Sequence, residues 1–181
     1  MAEIAHELVE HVSSSEAVPG SGWVAGVSAS LAAALIVKVT ARSEGWAAAE
    51  GARAQALELR DRLLALAGQD ARAYERALTA LESRDENLHR ALARAAEVPL
   101  AIAETAADVA FLAAECAERA DGAERADASA AAALAAGAAR AAARLVEVNL
   151  ATLQDDERLA RAERAAEAAA DASRQALAVQ A

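Results

Sequence analysis

The sequence predicts an all-α fold: a helical bundle of long up-and-down helices packed around one buried, small-residue helix. Apolar residues make up 56% of the 181 positions but aromatic residues only 2%, so alanine carries much of the apolar share. Alanine, Glu and Arg are strong helix formers, and the β-branched residues are too sparse and scattered to build a sheet. Two prolines and eight glycines leave few interruptions, which favours long helices and short loops. The run from Trp23 to Val37 is apolar or small on every side, the mark of a helix buried all round.

Taken in order, Ile4, Leu8, Val9 and Val12 recur at helical spacing between Glu3, Glu7 and Glu10, a short amphipathic first helix. His6 and His11, five apart, do not share a face, and no metal pair is expected from them. Ser13, Ser14 and Ser15 then lead into Val18-Pro19-Gly20-Ser21-Gly22, where proline and glycine interrupt any helix and free the backbone for positive φ. The central helix starts at Trp23. Val24, Val27, Leu31 and Leu35 line one side and Ala25, Ala29, Ala32 and Ile36 another. Gly22, Gly26, Ser30 and Ala34, four apart, leave a third side bare enough for a neighbouring backbone to come close. The glycine turn also leaves the first amides of this helix free to hold an anion or a polar ligand edge.

Gly45 marks a break, and a charged, alanine-rich helix with a narrow stripe through Leu57, Leu64 and Ala67 runs to an interruption at Gly68. Asp70 then either caps the next helical stretch or serves as a functional carboxylate. Residues 83–87 read as a polar connection, followed by a long helix to Arg119 with a kink at Val98-Pro99, since proline removes one hydrogen bond and collides with the preceding turn. The Ala95 carbonyl loses its partner there. Asp127 is placed to cap the next helix, whose stripe runs through Leu134, Ala138, Ala141, Leu145, Val148 and Thr152 with Asn149 beside it. Asp155-Asp156 open a final Glu/Arg/Ala helix. One helical domain spans residues 1–181, without repeats or linkers.

The charge balance narrows the partners. Twenty-eight acids against 18 bases give a net charge of −10, which disfavours nucleic acid and anionic membrane surfaces alike. The single cysteine, Cys116, reads as a small buried hydrophobe and suits a reducing compartment. No Lys or Arg precedes Lys38, so a signal peptide's positive n-region is missing. The apolar run of 23–37 is shorter than the roughly 20 residues a bilayer demands. A cytoplasmic protein is expected. Because alanine fills little volume, a single chain buries little surface, and that favours an oligomer.

No metal spacing, P-loop, nucleophile elbow or dinucleotide fingerprint occurs. The polar residues set at helix starts or on apolar faces are Ser21, Asp70, Asp127, Asn149 and Asp155, and capping or a satisfied core amide accounts for each one alone. Their order is more specific. Pro-Gly-x-Gly opening a small-residue helix, Gln69-Asp70-Ala-x-Ala-Tyr74, Ala96-Glu-Val-Pro99-Leu, Ala-Asp127-Ala, and Val-Asn149-Leu-x-x-Leu-x-Asp155 together resemble the cyclodeaminase/cyclohydrolase family of folate enzymes, from about Leu8 to Arg164.

The resemblance implies an all-helical homodimer with a folate site near the subunit interface, no permanently bound cofactor and no metal, and a tetrahydrofolate derivative as substrate. Pro19, Gly20 and Gly22 match the family's glycine turn, Asp70 its Asp-Ala acid, Pro99 its Val-Pro-Leu kink, Asp127 its Asp-Ala step, and Asn149 and Asp155 its Asn-Leu-x-x-x-x-Asp pattern. On that footing Asp70 and Asp127 are the candidates for proton transfer, and Gly20, Ser21, Gly22, Trp23, Asn149 and Asp155 those for substrate binding. Asp70 is the first choice for the proton carrier and Asp127 the second. Ser21 departs from the family's middle glycine, Trp23 stands where a serine usually follows, and Leu145 replaces an asparagine. The indole of Trp23 would then be either a stacking wall of the folate pocket or its plug. The expected reaction is hydrolysis of 5,10-methenyltetrahydrofolate to the 10-formyl product. The alternatives are cyclisation of 5-formiminotetrahydrofolate with release of ammonia, and a helical dimer that kept the scaffold without the chemistry. Absence of a formiminotransferase segment favours the first.

Overall fold

The computed structural model describes residues 2–43, 46–82, 88–151 and 156–179, and all regular structure among them is helical. The helices are α1 (Ala2–Val12), α2 (Ser21–Arg42), α3 (Ala49–Glu82), α4 (Leu88–Ala95), α5 (Glu97–Arg119), α6 (Gly122–Asn149) and α7 (Glu157–Ala178). The fold is the expected helical bundle. Helix α2 packs against α3, α5 and α6, while α5 and α7 close the other side of α6. Helix α1 stands off the bundle with no buried residue.

Helices α2 and α3 meet along the small-residue side of α2. Gly22, Gly26 and Ser30 meet Asp70, Ala67 and Arg60 in descending order, so the two helices run antiparallel. A Cβ on Gly26 would lie 2.9 Å from Ala67 Cβ and 3.3 Å from the Leu63 carbonyl. The Ser30 hydroxyl donates across the gap to the Arg60 carbonyl at 3.0 Å. The small-residue side of α2 thus does what its spacing implied. Its other sides divide unequally: Ala25, Ala29, Ala32 and Ile36 are buried, whereas Val24 and Leu31 are exposed. By length and composition α2 is apolar enough to cross a membrane, longer than its 23–37 core alone, and half of its apolar stretch is buried within the bundle.

Several boundaries differ from expectation for physical reasons. Gly68 does not interrupt α3, because one glycine costs a helix only about 1 kcal/mol and α2 packs across that stretch. Asp70 therefore lies inside a helix and caps nothing. The buried side of α3 is Ala52, Ala56, Leu59, Leu63 and Leu66, while Leu64 faces solvent. The bend near Pro99 falls at Ala96, whose backbone stays helical (φ −73°, ψ −19°), and Pro99 becomes the third residue of α5, where a missing N–H costs nothing. Helix α6 begins at Gly122, the one described glycine with positive φ (51°); Asp127 lies within α6 and is not its cap. Alanines 128, 131, 132, 135, 138, 139, 142 and 143 form the buried face of α6, and Leu134 and Val148 are left exposed. The larger buried side chains come from the facing helix α5, where Leu100, Ile102, Val109 and Leu112 are buried. Asp156 caps α7, accepting from the Arg158 N–H at 3.0 Å. The expectations at Gly45, Thr152 and 83–87 lie outside the described residues.

Cys116 is fully buried and its thiol is pushed up to about 12 by burial, so it packs as a small hydrophobe.

Candidate functional site

Where α2 begins, α3, the α4–α5 junction and the end of α6 converge around a cavity of about 260 Å³. Gly20, Ser21 and Gly22 bring the start of α2 to it, Asp70, Ala73 and Tyr74 one side of α3, and Leu145, Val148 and Asn149 the last turn of α6. Ala95 and Pro99 close it from the α4–α5 junction. Pro99 has no N–H to give the Ala95 carbonyl, four residues back, so that acceptor is released at the wall of the cavity. Arg158 ties the junction down, donating to the Ala93 carbonyl at 2.5 Å while gripping Asp156.

Gly20 is the N-cap of α2 with an extended backbone (φ −95°, ψ −171°) and no capping side chain. Neither it nor Gly22 uses positive φ; the bond between Val18 and Pro19 is cis. The steric demand lies at Gly22. A Cβ there would overlap the carboxyl group of Asp70, with Oδ1 at 2.6 Å. Asp70 is half-buried, and burial pushes its carboxyl up to about 6. Desolvation alone produces that shift, with no cation or hydrogen bond drawing it back. A carboxyl that titrates near neutrality can both take and give a proton at working pH.

Of the residues singled out in the sequence, Gly20, Ser21, Gly22, Asp70 and Asn149 come together here. Three do not. Trp23 does not line the cavity: one residue past Gly22, it lies about 100° further around the helix. Asp127 pairs with Lys38 at 2.6 Å, and Lys38 lies near the far end of α2, some 25 Å along the axis from Ser21. Within one chain that carboxylate stands well away from Asp70. Asp155 lies outside the described residues. Tyr74 and Val148 were missed as lining residues, although Tyr74 stands one helical turn from Asp70 and could have been found by that spacing. Among the described residues no group of three or more His, Cys, Asp or Glu is arranged to hold a metal.

The model of the formiminotransferase-cyclodeaminase family matches residues 4–168. The chain belongs to the formiminotransferase-cyclodeaminase family. Its structure is similar to that of formiminotetrahydrofolate cyclodeaminase from Thermotoga maritima, with a TM-score of 0.86 and 24% identity over 94% of this chain and 92% of that one. At that identity the likeness is one of fold. No curated protein matches significantly. The family match spans every segment that lines the cavity.

Proposed function

We propose that this cavity binds a reduced folate carrying a one-carbon unit on N5, and that Asp70 moves the protons of its ring closure. The observation that carries the proposal is a single carboxyl, raised toward neutrality, facing a cavity built on the segments the family match covers. In the cyclodeaminase reaction N10 attacks the formimino carbon on N5, forming a C–N bond and a tetrahedral intermediate. The ionised Asp70 takes the N10 proton and returns it to the amine, which leaves as ammonia and yields the 5,10-methenyl amidinium. Asn149 offers both a donor and an acceptor to the pterin edge. The amides at the start of α2 and the Ala95 carbonyl supply further fixed dipoles.

The same carboxyl would serve hydrolysis of the methenyl bridge, taking a proton from water and giving one to the departing nitrogen. The family and the Thermotoga maritima protein favour the cyclodeaminase direction. The purified protein is offered 5-formiminotetrahydrofolate and, separately, 5,10-methenyltetrahydrofolate, while methenyl absorbance and ammonia are followed. Absorbance gained with equimolar ammonia is the expected result; loss of methenyl absorbance above the buffer rate would assign the cyclohydrolase instead. Asp70→Asn should abolish whichever reaction occurs without changing helicity. No turnover and no binding of either folate by folded protein would leave only the scaffold role.

A further inference from the structure

A second cavity, about 470 Å³, adjoins the first and shares Ala73 and Ala95 with it. Its floor is alanine, and its charged groups are Arg76 from α3, Arg94 from α4 and Glu97 from α5. The carboxylate of Glu97 is drawn toward Arg158 at 4.0 Å. Arg76 and Arg94 have no carboxylate partner among the described residues, in a chain where acids outnumber bases 28 to 18. Arg76 also follows Arg72 by one turn, a like-charge spacing that works against the helix. Two exposed guanidinium groups facing one cavity from different helices, neither paired with a carboxylate among the described residues, are a carboxylate-binding arrangement.

The two cavities succeed one another along α3. Asp70 lines the first and Arg76, six residues on and about 9 Å further along the axis, the second. We infer that Arg76 and Arg94 hold the anionic tail of the ligand whose reacting ring lies at Asp70. Resting on the folate reading, this assigns the benzoyl-glutamate half of the molecule: the ring crosses Ala73 and Ala95, and the glutamyl carboxylates meet the guanidinium pair. The site thereby divides into a part that chooses the ring, with Asp70 its one carboxyl, and a cationic part that chooses the tail. Because the pair is exposed, its contribution is screened by salt.

Calorimetric titration with 5-formyltetrahydrofolate and with a tetrahydropterin lacking the benzoyl-glutamate tests the assignment, for the parent and for R76Q/R94Q. Both substitutions are at exposed positions and relieve a like-charge pair, so the fold is kept, which circular dichroism checks. The expected result is a tenfold or greater loss of 5-formyltetrahydrofolate affinity in R76Q/R94Q, a flatter salt dependence, and unchanged tetrahydropterin binding. R76K/R94K should recover part of the loss. Equal affinity of parent and R76Q/R94Q for 5-formyltetrahydrofolate overturns the tail site and leaves the ring site standing. Equal weakening of both ligands also overturns it, since the tail would then not be what the arginines hold. If the folded parent binds neither ligand, the folate reading falls and the tail site with it.

Discussion

The carboxyl of Asp70 rests against the bare Cα of Gly22, so near that a Cβ on that glycine would lie 2.6 Å from Oδ1. The contact joins the first turn of α2 to the middle of α3 and explains both ends of the pair. Gly22 is needed for space rather than for an unusual backbone angle, and Asp70 is desolvated because a helix covers it.

Gly22→Ala should therefore displace the Asp70 carboxyl toward the open cavity, since a short side chain can swing aside more cheaply than two helices can part. The expected effect is a loss of turnover of tenfold or more, with the acid limb of the pH–rate profile moved below its parent value. The melting temperature should change little. Parent-like turnover and an unmoved pH profile would make the contact incidental.

Asp70 also predicts a pH dependence of known sign. Its folded-state pKa, about 6, lies above the ordinary 3.8. The folded state thus binds the proton more tightly than the unfolded chain, and stability rises as pH falls from above 6 toward 4. Discounted for its partial exposure, the gain is on the order of 1–2 kcal/mol. Asp70→Asn should abolish that rise in urea titrations at pH 7.5 and pH 4.5, whereas a base role requires activity to fall as pH drops through about 6. Asp156 acts oppositely: Arg158 holds its carboxyl down to about 2, so its stabilisation of the α7 start persists until strongly acid pH.

At Gly26 the same helix pair meets backbone rather than a movable carboxyl, with Ala67 Cα at 3.2 Å from a built Cβ. Gly26→Ala should destabilise by about 1–3 kcal/mol through overpacking, and Gly26→Leu by more, measured as a shift of the urea midpoint at constant m-value. A neutral or stabilising Gly26→Ala would mean that α2 and α3 separate easily.

The exposed residues of α2 and α6 predict assembly. Val24 and Leu31 on α2 and Leu134 and Val148 on α6 are open to solvent, and α1 presents Ile4 and Val9 without a partner. Surfaces of this kind are covered by other chains more often than left wet. We expect a homodimer, with light scattering giving twice the 18.5 kDa of one chain. Asp substituted at Leu31 and Leu134 should return it to 18.5 kDa with helicity intact. A parent protein of 18.5 kDa at micromolar concentration would refute it.

Composition and local pattern determined the all-α class, the small-residue side of α2 and the polar segments that meet at the cavity, because those properties depend on residues near one another in the chain. Gly22, Gly26 and Ser30 announced a close helix contact by their spacing alone. Which helix they meet, and that Asp70 stands opposite Gly22, depended on antiparallel packing between segments some 30 to 50 residues apart. The same limit explains where the packing departs from the local pattern. Asp127 looks like Asp70 in its local sequence, Asp-Ala on an alanine-rich helix, yet it lies beside Lys38 and outside the cavity. Trp23 is next to the glycine turn but is rotated away from it. Leucines at helical spacing on α6 looked like the core, and the bundle buried the alanines instead, since interhelical distance is a property of the packed pair and not of either sequence. Local sequence chose the parts and their chemistry. Only the tertiary structure decided that the Asp70 carboxyl is desolvated at a cavity while that of Asp127 pairs with Lys38 at the surface.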